Sequence, residues 1–132
     1  NIGGYKYNKK TKTFPVFINY DKQENISDTT KYEDHFISSN HLIAISKSGR
    51  SLESEDVQNF LKATERGIDV QLFVRKNKDD KISKEFYYLG RMTATGQARE
   101  FIMQNTDKTA VEIEWILNTP VREDIYEYII NE

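Results

Sequence analysis

The chain contains no cysteine, only two prolines and two methionines, two histidines and a single tryptophan. Without cysteine it has neither disulfides nor thiolate metal sites, which suits a cytosolic protein, and packing and hydrogen bonding must hold its fold. The histidines, His35 and His41, have no acidic residue at a recognisable ligand spacing to both, so they read as surface imidazoles rather than a metal centre. No apolar run approaches the ~20 residues that a membrane-spanning helix requires. Nucleophile-elbow, Walker and dinucleotide-binding patterns are all missing, and the adjacent carboxylates Glu33 and Asp34 are the kind that usually sit on a solvated turn. The expectation is a non-enzymatic domain that needs no cofactor of its own.

What is present is enough for one core: 132 residues, 37% of them hydrophobic, with eight tyrosines and seven phenylalanines. A net charge of −2 argues against indiscriminate coating of nucleic acid but is compatible with a focused basic face. Charge is unevenly spread. Lys6, Lys9, Lys10 and Lys12 precede any acidic residue, whereas Glu123, Asp124, Glu127 and Glu132 load the other end. Residues 1–13 read as a basic segment or linker, either a solvated tail or an arm that contacts phosphates, and residues 14–132 as one domain. The start at Asn1 rather than Met is expected of a domain cut from a larger protein.

Periodicity places the elements. Phe14 to Tyr20 (FPVFINY) and Leu42 to Ser46 read as strands, the first rich in aromatic and β-branched residues and carrying Pro15 near its start, which points to an edge or a strand end. Lys31 to Ile37 predicts a helical turn with Tyr32, Phe36 and Ile37 on one face. Ser54 is a good N-cap, with Ser51 as the alternative one turn earlier; Val57, Phe60, Leu61 and Thr64 follow a helical period and Gly67 supplies the stop. Asp69 to Lys76 alternates Val70, Leu72 and Val74 against Gln71, Phe73 and Arg75, and a polar stretch then leads to Glu85–Met92 as the second arm of a hairpin. Thr93 to Arg99 is weakly patterned, and Glu100 to Gln104 reads as a separate short strand. Val111, Ile113, Trp115 and Leu117 share one face of a late strand, and Thr119-Pro120 opens a final helix whose face is Val121, Ile125, Tyr128 and Ile129. The predicted class is α+β: a curved, partly open β-barrel with one mid-chain helix and a C-terminal helix.

The segment with the clearest chemistry is Ser46-Lys47-Ser48-Gly49-Arg50-Ser51, between a strand and a helix start. Hydroxyls, two cations and a glycine beside a helix N-terminus can wrap a phosphate, although the Walker spacing is absent and the same residues also make an ordinary connector. Tyr20, Tyr32, Tyr87 and Tyr88 are the right residues to stack on a base or to pack a sheet; Arg75 and Arg91 can reach phosphates or pair with Glu85 or Asp69.

In order, the blocks Pro15–Lys22 (PVFINYDK), Thr30–Phe36 (TKYEDHF), Ser46–Ser54 (SKSGRSLES), Gly67–Lys76 (GIDVQLFVRK) and Phe86–Met92 (FYYLGRM) resemble one family. It is the C-terminal domain of certain bacterial modification-dependent (type IV) restriction enzymes that also carry a phospholipase-D-type nuclease and a superfamily-two helicase. The resemblance implies a DNA-recognition domain with a fold like the SET-and-RING-associated (SRA) domain, of a kind that flips 5-methylcytosine or 5-hydroxymethylcytosine out of the duplex. It implies modified double-stranded DNA and the rest of the parent chain as partners, with no membrane, and assigns ATP and a divalent metal to the parent's other domains. A base pocket needs aromatic faces, an acceptor for the cytosine amino group and an apolar niche for the methyl group. Tyr20 and Tyr32 are the aromatic candidates and Asp34 the acceptor. Lys22, Ser46, Lys47, Ser48, Arg50, Ser51, Arg75 and Lys76 are the candidate backbone contacts, with Arg50 also suited to fill the space that a flipped base leaves. The competing readings are a non-specific nucleic-acid clamp and a docking domain that uses Tyr126, Tyr128, Ile129 and Ile130.

Overall fold

The computed structural model describes residues 2–20, 33–76, 85–104 and 106–131. The element order is β1 (Ile2–Tyr5), β2 (Thr13–Tyr20), β3 (His35–Ser38), β4 (His41–Ile45), α1 (Glu55–Leu61), α2 (Ala63–Arg66), β5 (Asp69–Lys76), β6 (Tyr87–Ile102), β7 (Thr109–Leu117) and α3 (Glu123–Asn131). The strands form one seven-stranded sheet in the order β1-β2-β5-β6-β7-β4-β3, with β1 and β3 at its edges. The sheet is open, with three short helices among the described residues, as expected of a partly open barrel of the α+β class.

Alternation in β2 and β5 determines which face is the core. Phe14, Val16, Ile18 and Tyr20 are buried on β2, and Val70, Leu72, Val74 and Lys76 on β5. These two strands run parallel in unbroken register from Thr13↔Asp69 to Tyr20↔Lys76, so their inward side chains stack in rows across the sheet. The opposite face of the same strands carries Phe17 stacked on Phe73 at 4.8 Å, with Phe86 edge-on to Phe17. β2 lies inside the sheet, between β1 and β5, rather than at an edge. Pro15 is accommodated because β1 stops at Tyr5, opposite Val16, and no β1 residue is paired with Pro15.

Within residues 1–13, β1 pairs antiparallel with β2, and Tyr5 is buried in the core. Three expectations about the elements change. His35–Ser38 is a strand, not a helical turn, and its alternation puts Phe36 in the core and leaves Ile37 half exposed. Tyr87 to Ile102 is a single 16-residue strand, so neither the weakly patterned stretch nor Glu100–Gln104 is a separate unit. Its first part pairs with β5 and the remainder with β7. Between Ala94 and Ala98 the register shifts, and Gly96 adopts φ +101° there, a backbone conformation that side-chain-bearing residues rarely take. Finally, α3 begins at Glu123 rather than at Pro120, because the Val121 amide donates to the Ser39 carbonyl (2.8 Å) and holds the chain extended against the β3–β4 turn.

The mid-chain helix is likewise divided. α1 and α2 meet at Lys62, whose φ/ψ of −109°/21° interrupts the helix, and Gly67 (φ 69°) then ends it as the sequence indicates. α1 buries Val57 and Phe60. Phe60 sits at the centre of an aromatic cluster, stacked on Phe14 at 4.2 Å and edge-on to Tyr5 (4.9 Å) and Trp115 (5.3 Å). It thereby joins α1 to β1, β2 and β7. The substitution Phe60→Ala is expected to cost about 3–5 kcal/mol through reduced burial and a cavity that these rigid rings cannot fill. Urea denaturation of the two proteins measures this, and a cost below ~1 kcal/mol would show that the cluster is not central.

Candidate nucleic-acid interface

The segment Ser46–Ser51 leaves β4 and enters α1 through a closed set of hydrogen bonds. The Ser46 amide donates to the Val111 carbonyl, and the Ser46 hydroxyl accepts from the Val111 amide at 2.9 Å, extending the β4–β7 pairing by one residue. The Lys47 amide donates to the Tyr5 hydroxyl (3.0 Å), and the Gly49 and Arg50 amides both donate to the Thr109 carbonyl. Ser51 N–H donates to Ser54 Oγ (2.9 Å), Leu52 N–H to Glu100 Oε1 (2.8 Å) and Glu53 N–H to Ser51 Oγ (3.2 Å). From Ser46 to Ser54, every amide except that of Ser48 therefore has an acceptor within the protein. The loop therefore offers an anion no cradle of free amides, because donors already engaged cannot turn towards a phosphate without breaking the loop. Ser54 occupies the N-cap position, but its hydroxyl serves Ser51 rather than the helix.

The side chains of the loop are anchored by Tyr5 and Asp56. Tyr5 Oη donates to Asp56 Oδ2 at 2.6 Å, and Arg50 Nε donates to the same oxygen at 2.8 Å. Lys47 Nζ donates to the Tyr5 carbonyl (3.0 Å) and lies 4.5 Å from the centre of the Tyr5 ring. Burial, then the bond to Asp56, pushes the Tyr5 hydroxyl well above the ordinary tyrosine range. Burial raises the Asp56 pKa, but hydrogen bonds from Tyr5 and Arg50 outweigh it and hold the carboxyl below its usual value. Neither Tyr5 nor Asp56 stands out as a site residue in the sequence. The alternation of Tyr5 and Tyr7 around Lys6 is the available signal for a strand, and Asp56 reads there only as a partner of the helix dipole.

The second group of candidates lies at the far end of β2. Tyr20 is buried, and its hydroxyl accepts from the Phe36 amide at 2.9 Å. Asp34 is also buried and accepts from the Ile45 amide at 2.7 Å, immediately before the loop. Burial raises the pKa values of both groups. The structure thus gathers Tyr20 and Asp34 around β3 and the end of β4, and Asp34 couples that end of the fold to the root of Ser46–Ser51. Tyr32 and Lys22 lie outside the described residues.

The remaining candidates divide by face. Arg75 donates to Asn19 Oδ1 (2.7 Å) and lies over the Phe86 ring, on the outer face of the sheet. Lys76 is buried, with Nζ 4.9 Å from the Tyr128 ring centre, so it differs from the surface position that a phosphate contact presupposes. Tyr128 also packs on Tyr87, Tyr126 packs on Phe36, and Ile129 is fully buried. Much of the expected docking face of α3 therefore packs against its own domain. Arg91 pairs with Asp69 rather than standing free, and His41 pairs with Glu114. Among the described residues no group of three His, Asp or Glu side chains is placed to hold a metal, and no helix is long and apolar enough to cross a membrane.

The substitution Tyr5→Phe keeps the ring but leaves the Lys47 amide without its acceptor and removes one donor from Asp56. A loss of about 1–3 kcal/mol at neutral pH is expected. Asp56, with its folded pKa depressed, stabilises the fold above the unfolded carboxyl value of about 4, and that contribution is lost as pH falls through the folded value. Tyr5→Phe is therefore expected to narrow the difference in urea midpoint between about pH 7 and pH 3. An unchanged acid dependence would contradict the role given to this hydrogen bond.

The fold is shared with domains of known structure. Over 92% of its length the chain is similar to the SRA domain of SUVH5 in complex with hemimethylated CG DNA, at 15% identity and a TM-score of 0.55, covering 77% of that chain. A SUVH5 SRA domain bound to fully hydroxymethylated CG DNA matches over the same share, at 13% identity and a TM-score of 0.50, covering 76% of that chain. Arabidopsis thaliana SUVH6 in complex with SAM matches at 13% identity and a TM-score of 0.52, with 92% of this chain against 22% of that one. Identities this low establish a common fold, and the fold is SRA-like. No curated protein matches the chain by sequence. The family described as a domain of unknown function (DUF3427) matches residues 1–129, and the chain belongs to that family.

Proposed function

We propose that this domain binds double-stranded DNA carrying 5-methylcytosine or 5-hydroxymethylcytosine. In this reading it flips the modified base and acts as the specificity domain of an ATP-dependent, SauUSI-type modification-dependent restriction endonuclease in the bacterial cytoplasm. The observation that carries this reading is the SRA-like fold, shared with domains solved on methylated and hydroxymethylated CG DNA. The resemblance of the ordered sequence blocks supports the restriction-enzyme context, with catalysis and ATP use assigned to the parent's other domains.

In this reading the base is held at the Tyr20 and Asp34 end of the sheet, with Tyr32 as the second aromatic face. Aromatic stacking on the extruded base offsets the few kcal/mol lost from the duplex stack. Asp34 supplies an acceptor of the type that the cytosine amino group needs. Lys47, Ser48 and Arg50 are the loop side chains offered to the phosphate backbone. Ser46 and Ser51 shape the loop from within, and Lys22 and Arg75 are further backbone contacts. Because Asp34 binds the Ile45 amide, occupation of the base site and placement of the loop are mechanically connected.

Burying one methyl group contributes only about 1 kcal/mol, so roughly a fivefold preference for the methylated duplex is expected from that term alone. Fluorescence anisotropy with matched duplexes at one salt concentration measures it. Asp34→Asn is expected to reduce affinity for the modified duplex more than for the unmodified one. Equal binding of the two duplexes by the unaltered domain would sink the reader hypothesis. It would favour the non-specific clamp, for which binding is dominated by phosphates and depends steeply on salt.

A further inference from the structure

The basic N-terminal segment and the Ser46–Ser51 loop, separate in sequence, meet across one groove. The chain from Tyr5 to Lys12 forms one wall, and α1 and α2 form the other, with Lys47 and Arg50 at one end. Among the described residues the groove, of about 580 Å³, is lined by Lys6, Lys9, Lys12, Lys47, Arg50 and Arg66 against the two carboxylates Glu55 and Asp56. This is a strong local excess of positive charge in a chain whose net charge is −2. Like charges gathered on one wall repel each other, so such a cluster is favourable chiefly when a polyanion occupies it.

The cations are not equivalent. Arg50 is held by Asp56, Lys47 by the Tyr5 carbonyl, Lys12 by the Arg66 carbonyl (3.0 Å), and Arg66 by Asn59 (2.9 Å). These bonds fix the walls while leaving positive charge facing the groove. Lys6 and Lys9 are exposed and make no side-chain hydrogen bond or ion pair among the described residues, so they can turn to a ligand without breaking an existing bond. Tyr7 lies against Phe14 at 5.4 Å on the same wall and presents a phenol there.

We propose that the groove is a second contact surface for the DNA, taking one phosphodiester strand along Lys6, Lys9, Lys12 and Arg66 and continuing the grip begun by Lys47 and Arg50. This rests on the DNA-binding reading above and gives the basic segment a function within it. The loop amides are already engaged, so phosphate binding on this side depends on side-chain charge. Such binding is indifferent to cytosine modification: the groove supplies affinity and register, and the base site supplies discrimination.

Anisotropy titrations over a series of salt concentrations, with a 5-methylcytosine duplex and its unmodified counterpart, test this. The double variant K6E/K9E is expected to weaken binding to both duplexes by about tenfold or more and by the same factor. The slope of log Kd against log salt is expected to fall by roughly two units, one for each phosphate that is no longer neutralised. Replacing a groove carboxylate by Glu55→Gln should tighten binding to both. The control K108E/R122E reverses two exposed cations outside the groove and should change affinity far less, with thermal melts confirming that all variants fold. Unchanged affinity and slope in K6E/K9E, or an equal loss in K108E/R122E, would overturn the proposal even if methylation preference persists in the unaltered domain. Conversely, loss of affinity in K6E/K9E alone, in a domain without methylation preference, would uphold the groove while removing the reader hypothesis.

Discussion

The phenol of Tyr5 joins three parts of the chain: β1, α1 and the loop that leaves β4. Its ring packs on Phe14 and Phe60 and so fastens β1 to the core. Its hydroxyl, donating to Asp56 and accepting from the Lys47 amide, ties α1 to the loop that leaves β4. Because Asp56 also holds Arg50, the orientation of that guanidinium depends indirectly on a residue 45 positions away in β1. A buried hydroxyl with both a donor and an acceptor role satisfied is costly to rearrange, which favours a loop with one geometry over a flexible one.

That rigidity changes how the loop can work. A loop whose amides pair with Val111, Thr109, Tyr5, Ser54 and Glu100 has little left to offer an anion except the charged ends of its side chains. In the proposed reading, phosphate contact on this face depends on charge placement, and the lysines of the N-terminal segment become as relevant as Lys47 and Arg50. The Tyr20 and Asp34 end has a different character: it is buried and aromatic, so it favours shape and hydrogen-bond complementarity. In the proposed reading, affinity and selectivity fall to opposite ends of β2, linked through the Asp34–Ile45 hydrogen bond.

Elements whose burial follows a strict period were legible in the sequence. β5 and β7 alternate cleanly, and Gly67 ends the helix in the left-handed conformation that glycine tolerates. β6 was not legible as one strand, because beyond Met92 both of its faces are largely exposed and the register shifts at the Gly96 bulge, so no hydrophobic alternation survives. The strand at His35–Ser38 is too short for two residues of alternation to outweigh an apparent helical spacing. The start of α3 was displaced by a tertiary hydrogen bond to Ser39, which no local capping rule contains. At the site, the loop's position was legible but its anchoring was not, since Tyr5 and Asp56 lie 51 residues apart and meet only through the β1–β2 pairing. Lys76 illustrates the opposite failure: its place in an alternating strand put it on the inward face, where burial overrides the usual exposure of lysine.

The most direct test of this account is a crystal structure of the domain on a duplex containing one 5-methylcytosine. The modified base is expected outside the stack, at the end of the sheet marked by Tyr20 and Asp34. The phosphates of one strand are expected to follow Lys47, Lys6 and Lys9 along the groove. A duplex bound with every base stacked, or bound away from both the Tyr20–Asp34 end and the groove, would contradict the account.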